Sequence, residues 1–511
     1  MARTDVIAAR LCRSEAFWLG LCLAATAFLA LYRLDSFPRF NFDEGYYLLL
    51  AKNLSEYGKY ALSVAPTAVD WFGLGNSSPT LVLPIVVSFA VFGQSVLAGR
   101  VVTSLYLIGT ALGIYLVMRH LYDWRTGALS LMLFLVSGSL IEYNTLLLGR
   151  RVLGEIPALF FVFIALRLWY RSWETRRLWE AALAGLIFGF AFLTKEQFMP
   201  LALMAGGLVY LADRFRYRLL STGLFAIPLL ASIIPLSAWY GYKMSILGVA
   251  PFRDHLATLG AVSQASTWLI EPGTWPGSIA FLYSHSFVIF GLPGILYAFV
   301  LSARPTLAGL KSLFLPVFAL LLVLWFVFIS IGWWRYGHPG LAVAGVLSAK
   351  LVRDLLAGLS LDPARLWAGL SQGTMVRQFI AGVVVLLMVV YPLQDVARQI
   401  LFDTDRTPQE FADLVADRTE PEALIESYVW EIIFLAPRRF HYPSADVFVQ
   451  VIERRLDRTY DPLHLGPRYV VDGPYSKSVD LYSETWLSAC CRWVGSVGAY
   501  DLYAVQSSNA P

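Results

Sequence analysis

Charge is scarce in this sequence. Only 15% of its 511 residues are Asp, Glu, Lys or Arg, where a soluble domain carries about 25%. That shortage excludes an ordinary soluble globular enzyme and equally a disordered scaffold, which depends on charge and lacks aromatics. Histidine is limited to six residues and cysteine to four. His255 and His285 stand alone without ligand spacing, so no metal site is indicated. Cys12, Cys22, Cys490 and Cys491 form no disulfide framework, and the adjacent Cys490 and Cys491 read as two free thiols. There is no glycine-rich phosphate loop, no solenoid repeat and no low-complexity tract. No basic stripe with interleaved aromatics occurs, so nucleic acid is not expected as a partner.

What is abundant is apolar. Hydrophobic residues make up 57% of the chain, and 16 Trp, 26 Tyr and 33 Phe are enough to anchor two membrane interfaces. Mean hydropathy is +0.60. Runs of about 17–25 apolar residues can cross a bilayer as helices. Eleven candidates are read, several of them short: Phe17–Leu34, Leu97–Met118, Gly127–Leu146, Val152–Trp169, Ala181–Thr194, Phe198–Ala212, Leu219–Tyr240, Phe281–Leu301, Leu313–Trp333, Pro339–Val352 and Phe379–Leu393. The first run has a basic flank (Arg3, Arg10, Arg13) and no convincing cleavage site, and reads as an uncleaved signal-anchor.

A further apolar segment, Pro79–Phe92, decides the topology. If it does not span, one face collects Arg3/Arg10/Arg13, Arg119/Arg125, Arg167/Arg171/Arg176/Arg177, Arg214/Arg216/Arg218, Arg304/Lys311 and Lys350/Arg353/Arg365/Arg377. If it spans, the later clusters move to the other side of the membrane from the N-terminus. The positive-inside rule favours the first arrangement. The N-terminus is then cytoplasmic, in a cell (inner or plasma) membrane, with Pro79–Phe92 re-entrant or interfacial. The outer face receives the loop Asp35–Ser78, the turn Leu147–Arg151, the loop Gly241–Ala280 and everything after the last span.

Two domains follow from charge. Residues 395–511 hold 11 Lys and Arg against 18 Asp and Glu, a net of −7, and residues 1–394 carry +11. The first 394 residues read as a transmembrane catalytic body with its first outer loop at 35–78 and interfacial helices. Residues 395–511 read as a small extracytoplasmic soluble α/β domain. Its expected strands are Ala423–Tyr428, Arg468–Asp472 and Tyr500–Val505, and its expected helices Pro408–Asp417 and Ala445–Arg455.

Candidate chemistry gathers on the outer face. In Arg39-Phe40-Asn41-Phe42-Asp43-Glu44-Gly45-Tyr46-Tyr47, helical spacing from Asp43 onward predicts a short amphipathic helix at the interface. Asn41 with Glu44 three residues later fits a capping box, the structural alternative for Glu44. Asp43 falls in the first turn, where it either compensates the helix dipole or acts as a functional carboxylate. Glu142-Tyr143 precede Arg150-Arg151-Val152-Leu153-Gly154-Glu155. Glu155 lies at membrane depth, where a carboxylate needs a partner or a wet cavity; an ion pair with Arg150 or Arg151 is the plain alternative. Lys195 separates two apolar runs and either snorkels or serves the site. Trp333-Trp334-Arg335-Tyr336-Gly337-His338-Pro339 joins two spans. A helix starting at His338-Pro339 beside Arg335 would suit a phosphate. Asp403-Thr404-Asp405 spells a DxD that sits in a linker and carries little weight.

These motifs, in this order and on one side, resemble the GT-C glycosyltransferases of the protein O-mannosyltransferase and aminoarabinose-transferase group (family 39/83-like). The resemblance rests on Asp43-Glu44, "FGQSVLAGR", Glu155, "LTKE" around Lys195, "RYGHP" from Arg335 to Pro339 and the tail "PRYVVDGPYS". It implies a hexosyl or pentosyl transferase that takes a polyprenyl-phosphate sugar to an acceptor hydroxyl on a lipid, glycan or protein, with inversion. Asp43 would be the base, with Glu44 and Glu155 as the other catalytic carboxylates. Lys195, Arg335, Tyr336 and His338 would hold the donor phosphate, with no metal or other cofactor required. The sequence departs from the family in having Glu at 155, where Asp is common, and Glu196 after the lysine, where Gly is usual. The competing reading is a transporter or lipid flippase, against which the lack of a two-fold repeat speaks.

Overall fold

The computed structural model describes residues 15–62, 78–138, 144–285, 287–356, 374–452 and 460–506. Arg3, Arg10, Cys12, Arg13, Glu142, Tyr143, Arg365 and the side chain of Arg377 lie outside that description. The chain is a multi-span helical membrane protein followed by a mixed β-sheet region.

Among the described residues, five helices are long and apolar enough to cross a bilayer: Val96–Leu121, Glu155–Thr175, Phe198–Tyr217, Gly223–Leu247 and Leu307–Phe328. A sixth is counted if Pro272–Ser284 and Phe287–Ser302 are one bent span. Glu15–Leu31, Pro79–Phe92, Trp124–Leu135 and Leu178–Thr194 are shorter apolar helices. Six of the eleven runs thus fall on these spans, and Pro339–Val352 and Phe379–Leu393 lie within the long helices Trp334–Leu355 and Thr374–Phe402. Apolar composition does not report backbone breaks. The run Gly127–Leu146 stops being helical at Leu135, just before Gly138 enters the left-handed region at φ +77°. The run Phe281–Leu301 divides after Ser284. Conversely, the expected outer loop 241–280 is largely helical, with Gly223–Leu247 running on and Val249–Ser266 following it.

Close helix approach sets the frame. A Cβ on Gly185 would stand 2.3 Å from Pro228 O, and one on Gly189 2.5 Å from Ser232 O. This glycine pair, four residues apart on Leu178–Thr194, lets that helix lie directly on Gly223–Leu247. The junction at Lys195 is fixed as a result. Below it, Trp169 packs edge-on against Trp173, Phe188 and Phe314.

The two ends of the bundle differ in kind. At one end Arg119 pairs with Glu15 at 2.7 Å, Lys311 with Glu174 at 2.5 Å, and Arg216 donates to Ala303 O. The other end gathers Asp43, Glu155, Lys195 and Arg335. Pro79–Phe92 begins and ends at this second end. Ser78 donates to Thr194 O at 2.6 Å, and Phe89 stacks on Phe434 of the C-terminal region at 6.3 Å.

The last long helix, Thr374–Phe402, passes the expected boundary at 394, so the C-terminal domain begins near residue 403. Its sheet has the order β2-β1-β3-β5-β4. Strands β1 (Leu424–Ser427), β2 (Arg439–His441) and β3 (Tyr469–Asp472) are parallel, and β4 (Cys491–Val497) and β5 (Tyr500–Val505) are added antiparallel. β2 and β4 escape sequence reading: β2 has three residues, and β4 carries Arg492 and a bulge between Trp493 and Gly495 that breaks its alternation. The expected helices appear as Thr407–Arg418 and Ala445–Ile452.

Candidate active site

Asp43 and Glu44 are carried by the helix Phe42–Tyr57. Asn41 caps it, its Oδ1 accepting from Glu44 N–H at 3.1 Å. Successive helical side chains diverge by about 100°, so the two carboxylates face different surroundings. Glu44 turns inward. Its Oε2 accepts from Arg100 Nε at 2.9 Å and Val152 N at 3.0 Å, and its Oε1 accepts from Arg100 Nη2 at 2.8 Å. Arg100 also donates to Leu34 O, and both side chains are 0% exposed. The reciprocal half of the expected capping box is thus not formed. Glu44 fastens the helix to Val96–Leu121, and both its oxygens are engaged. The helix is also not a surface-lying one: Leu48, Leu50 and Ala51 are fully buried between the membrane helices and the C-terminal domain.

Asp43 turns outward and pairs with Arg335, with side-chain exposures of 37% and 16%. Arg335 lies 4.8 Å from the Trp333 ring centroid and 5.4 Å from that of Tyr336. Its helix is Trp334–Leu355, which starts four residues earlier than expected. The free helix N-terminus therefore sits at Arg335 and not at His338. Pro339 lies inside the helix, in its second turn, and offers no N–H to the Arg335 carbonyl one turn back. His338 is fully buried, with Nε2 2.8 Å from Thr145 Oγ1. It ties this helix to Thr145–Arg150, and the expected phosphate role for it is not supported by that position.

A second ion pair adjoins the first. Lys195 Nζ is 2.8 Å from Glu155 Oε1, and Glu155 is 0% exposed. Neither Glu155 oxygen has a hydrogen-bond partner of proper direction among the described residues. Gly154 permits this contact: a Cβ there would stand 3.0 Å from Thr194 O and 3.1 Å from Lys195 Cε. Arg150 is not the partner of Glu155. It is buried and donates to the carbonyls of Leu29, Tyr32, Arg33 and Phe37, closing the end of the first helix. Tyr336 lies between the two pairs, its ring 5.7 Å from Lys195 Nζ. Tyr47, buried on the same helix as Asp43, interacts electrostatically with all four charges. The arrangement brings two cations and one partly exposed carboxylate together. Such a set can bind a phosphate and take up a proton.

Residues 77–240 match the family model described as dolichyl-phosphate-mannose-protein mannosyltransferase. The full chain is similar in structure to ArnT from Cupriavidus metallidurans bound to undecaprenyl phosphate, at 15% identity and a TM-score of 0.61, covering 98% of this chain and 100% of that one. It is also similar to the oligosaccharyltransferase AglB from Archaeoglobus fulgidus in complex with an inhibitory peptide and a dolichol-phosphate, at 15% identity and a TM-score of 0.53, covering 97% and 75%. The family model covers residues 77–240, less than half of the chain, and the two solved structures share the fold of nearly all of it. No curated protein matches it by sequence.

Three residues around this site were not named as candidates from sequence. Arg100 had a usable signal, being a guanidinium inside an apolar span, where an unpaired charge is costly. Tyr47 and Tyr475 had none. Tyr475 comes from the C-terminal domain and stacks on Phe42 with ring centroids 4.2 Å apart. Its pKa is pushed up to about 12 by burial and then by Asp43, with Arg335 opposing. The C-terminal domain docks on the Asp43 helix at Gly45, where a Cβ would stand 2.4 Å from the backbone of Trp430 and Glu431. Glu431 is buried there, its Oε1 accepting from Tyr500 OH at 2.8 Å. Burial raises its pKa to about 7, with Arg39 opposing and Asp43 adding to the rise.

Asp405 of the DxD tripeptide caps Thr407 N–H at 3.0 Å and lies near Arg39. Among the described residues, no group of three or more His, Cys, Asp or Glu could hold a metal. A largely apolar cavity of about 270 Å³ lies between the membrane helices, lined by Trp169, Phe188, Tyr210, Phe225 and Phe314 and reaching up to Phe192, three residues before Lys195.

Proposed function

We propose that this enzyme transfers a sugar from a polyprenyl-phosphate donor to an acceptor hydroxyl on the extracytoplasmic face, inverting the anomeric centre. The observation that carries the reading is the pairing of the accessible Asp43 with Arg335, next to Lys195 and Glu155. Asp43 and Arg335 neutralise each other in their ion pair. A donor phosphate competes for the Arg335 guanidinium, which favours bidentate phosphate contacts. Asp43 is then released to act on the acceptor.

In the transfer step the acceptor O–H gives its proton to the Asp43 carboxylate. The acceptor oxygen bonds to the anomeric carbon as the bond from that carbon to the phosphate oxygen breaks. The electron pair leaves with the lipid phosphate, and the added negative charge falls to Arg335 and Lys195. Glu155 orients Lys195. Arg335 and Lys195 supply the positive charge, so the reading requires no metal or other cofactor. An isoprenoid tail finds apolar lining beneath Lys195.

The orientation in the membrane follows from the basic clusters, which place the opposite end of the bundle in the cytoplasm. The acceptor class is a hydroxyl of a lipid, glycan or protein. Transfer from a radiolabelled polyprenyl-phosphate sugar, in membranes containing wild type or Asp43→Asn, tests the reading. Wild-type transfer that is lost in the variant is expected. Undiminished transfer by Asp43→Asn removes Asp43 from the chemistry.

A further inference from the structure

The C-terminal domain contributes more than a cover. Its short helix Pro474–Ser478 is held rigidly to the sheet. Ser476 Oγ donates to Asp472 Oδ1 at 2.5 Å and accepts from Gly473 N–H at 2.8 Å, and Lys477 bridges to Asp501. Gly473 itself cannot take a side chain, since a Cβ would stand 2.8 Å from Val429 and 2.9 Å from Tyr500. The residue between these fastenings, Tyr475, is only partly buried, and its ring is fixed by the stack on Phe42 and by Tyr428 at 5.6 Å. Its phenol senses the charges of Asp43 and Arg335, residues of the membrane part. Its hydroxyl makes no hydrogen bond among the described residues.

A phenol held this firmly beside the accessible carboxylate, with its hydroxyl uncommitted, has the form of a substrate contact. We propose that the Tyr475 hydroxyl binds the acceptor, so that the C-terminal domain completes the acceptor side of a site whose donor side is made by the membrane helices. The inference rests on the transfer reading above. The acceptor hydroxyl would be aligned toward Asp43 by this contact, and water, which needs no such alignment, would gain little from it.

The test uses full-length enzyme in nanodiscs, a radiolabelled polyprenyl-phosphate sugar, and native membranes as the source of acceptor. Two quantities are read: the ratio of sugar transferred to membrane acceptor over sugar released to water, and the affinity for polyprenyl phosphate alone. Tyr475→Phe keeps the stack and removes the hydroxyl. Its ratio should fall about tenfold, the scale of one lost hydrogen bond, with polyprenyl-phosphate affinity within about twofold of wild type. Tyr475→Leu, which also removes the stack, should in addition lower the melting temperature, and that split assigns the ratio change to the hydroxyl. An unchanged ratio in Tyr475→Phe overturns the proposal and makes Tyr475 a packing residue. A loss of polyprenyl-phosphate affinity at constant ratio also overturns it, by placing Tyr475 on the donor side. Wild-type enzyme that neither binds polyprenyl phosphate nor transfers sugar would fail the transfer reading itself, and Tyr475 with it.

Discussion

Asp43 and Glu44 are neighbours in sequence and opposites in the structure. Glu44 is sealed in a three-bond contact with Arg100 and Val152 N–H, and Asp43 is partly exposed and paired with Arg335. One peptide unit of helix rotation separates the two environments. The contrast shows how a helix can split a pair of identical functional groups into a fastener and a reagent. A buried ion pair of the first kind contributes little net stability compared with apolar packing, but removing one partner leaves a stranded charge. The second kind is exchangeable, because solvent and substrate can reach it.

Substitutions should expose that division, most strongly at Asp43. Asp43→Asn should reduce transfer by about 10²–10⁴-fold, the range for a lost general base, with expression and melting temperature close to wild type. Glu44→Gln should do the reverse. Stranding Arg100 costs about 3–5 kcal/mol, so the melting temperature should drop while activity per folded molecule largely survives. The pair Glu44→Gln with Arg100→Met should recover much of the loss. Equal melting temperatures for wild type and Glu44→Gln would erase the contrast.

Arg335→Lys sharpens the comparison from the cation side. An ammonium retains charge but lacks the planar fork, so donor binding should persist in part with turnover reduced about tenfold or more. A rate equal to wild type would mark Arg335 as an interfacial anchor. An effect on stability alone is expected at Glu431. Its carboxyl, at about pKa 7 in the folded protein against an ordinary value of 4.5, binds more protons folded than unfolded. Stability should therefore fall as pH rises from about 4.5 to 7, by roughly 3 kcal/mol, and level off above that window. Glu431→Gln should flatten the melting-temperature profile between pH 5 and 8. A profile that stays sloped would assign the dependence to other groups.

The sequence made much of this legible, for physical reasons. Helical periodicity and the Asn41 cap foretold the helix that begins at Phe42, because both signals are local. Among the described residues, Arg119, Arg216 and Lys311 gather at one end of the bundle, and Asp43, Glu155, Lys195 and Arg335 at the other. Partners were harder to see. Glu155 chose Lys195 over the adjacent arginines because Gly154 admits Lys195 to contact, and Arg150 was already occupied by four carbonyls. The start of the Arg335 helix was misplaced because Pro339 looks like a first-turn proline and in fact lies deeper. Tyr475 was beyond reach, since nothing local links a tail residue to a loop more than 400 positions earlier.

That long-range seam has a temporal side. The helix bearing Asp43 is made early, and the segment that closes over Gly45 follows roughly 385 residues later. At about 5–20 residues per second of synthesis, the two are separated by roughly 20–80 s. During that interval the membrane helices have been inserted, but Leu48, Leu50 and the rest of the helix lack their cover. The nascent protein therefore carries an unfinished cleft, and a chain truncated before Trp430 would stay in that state permanently.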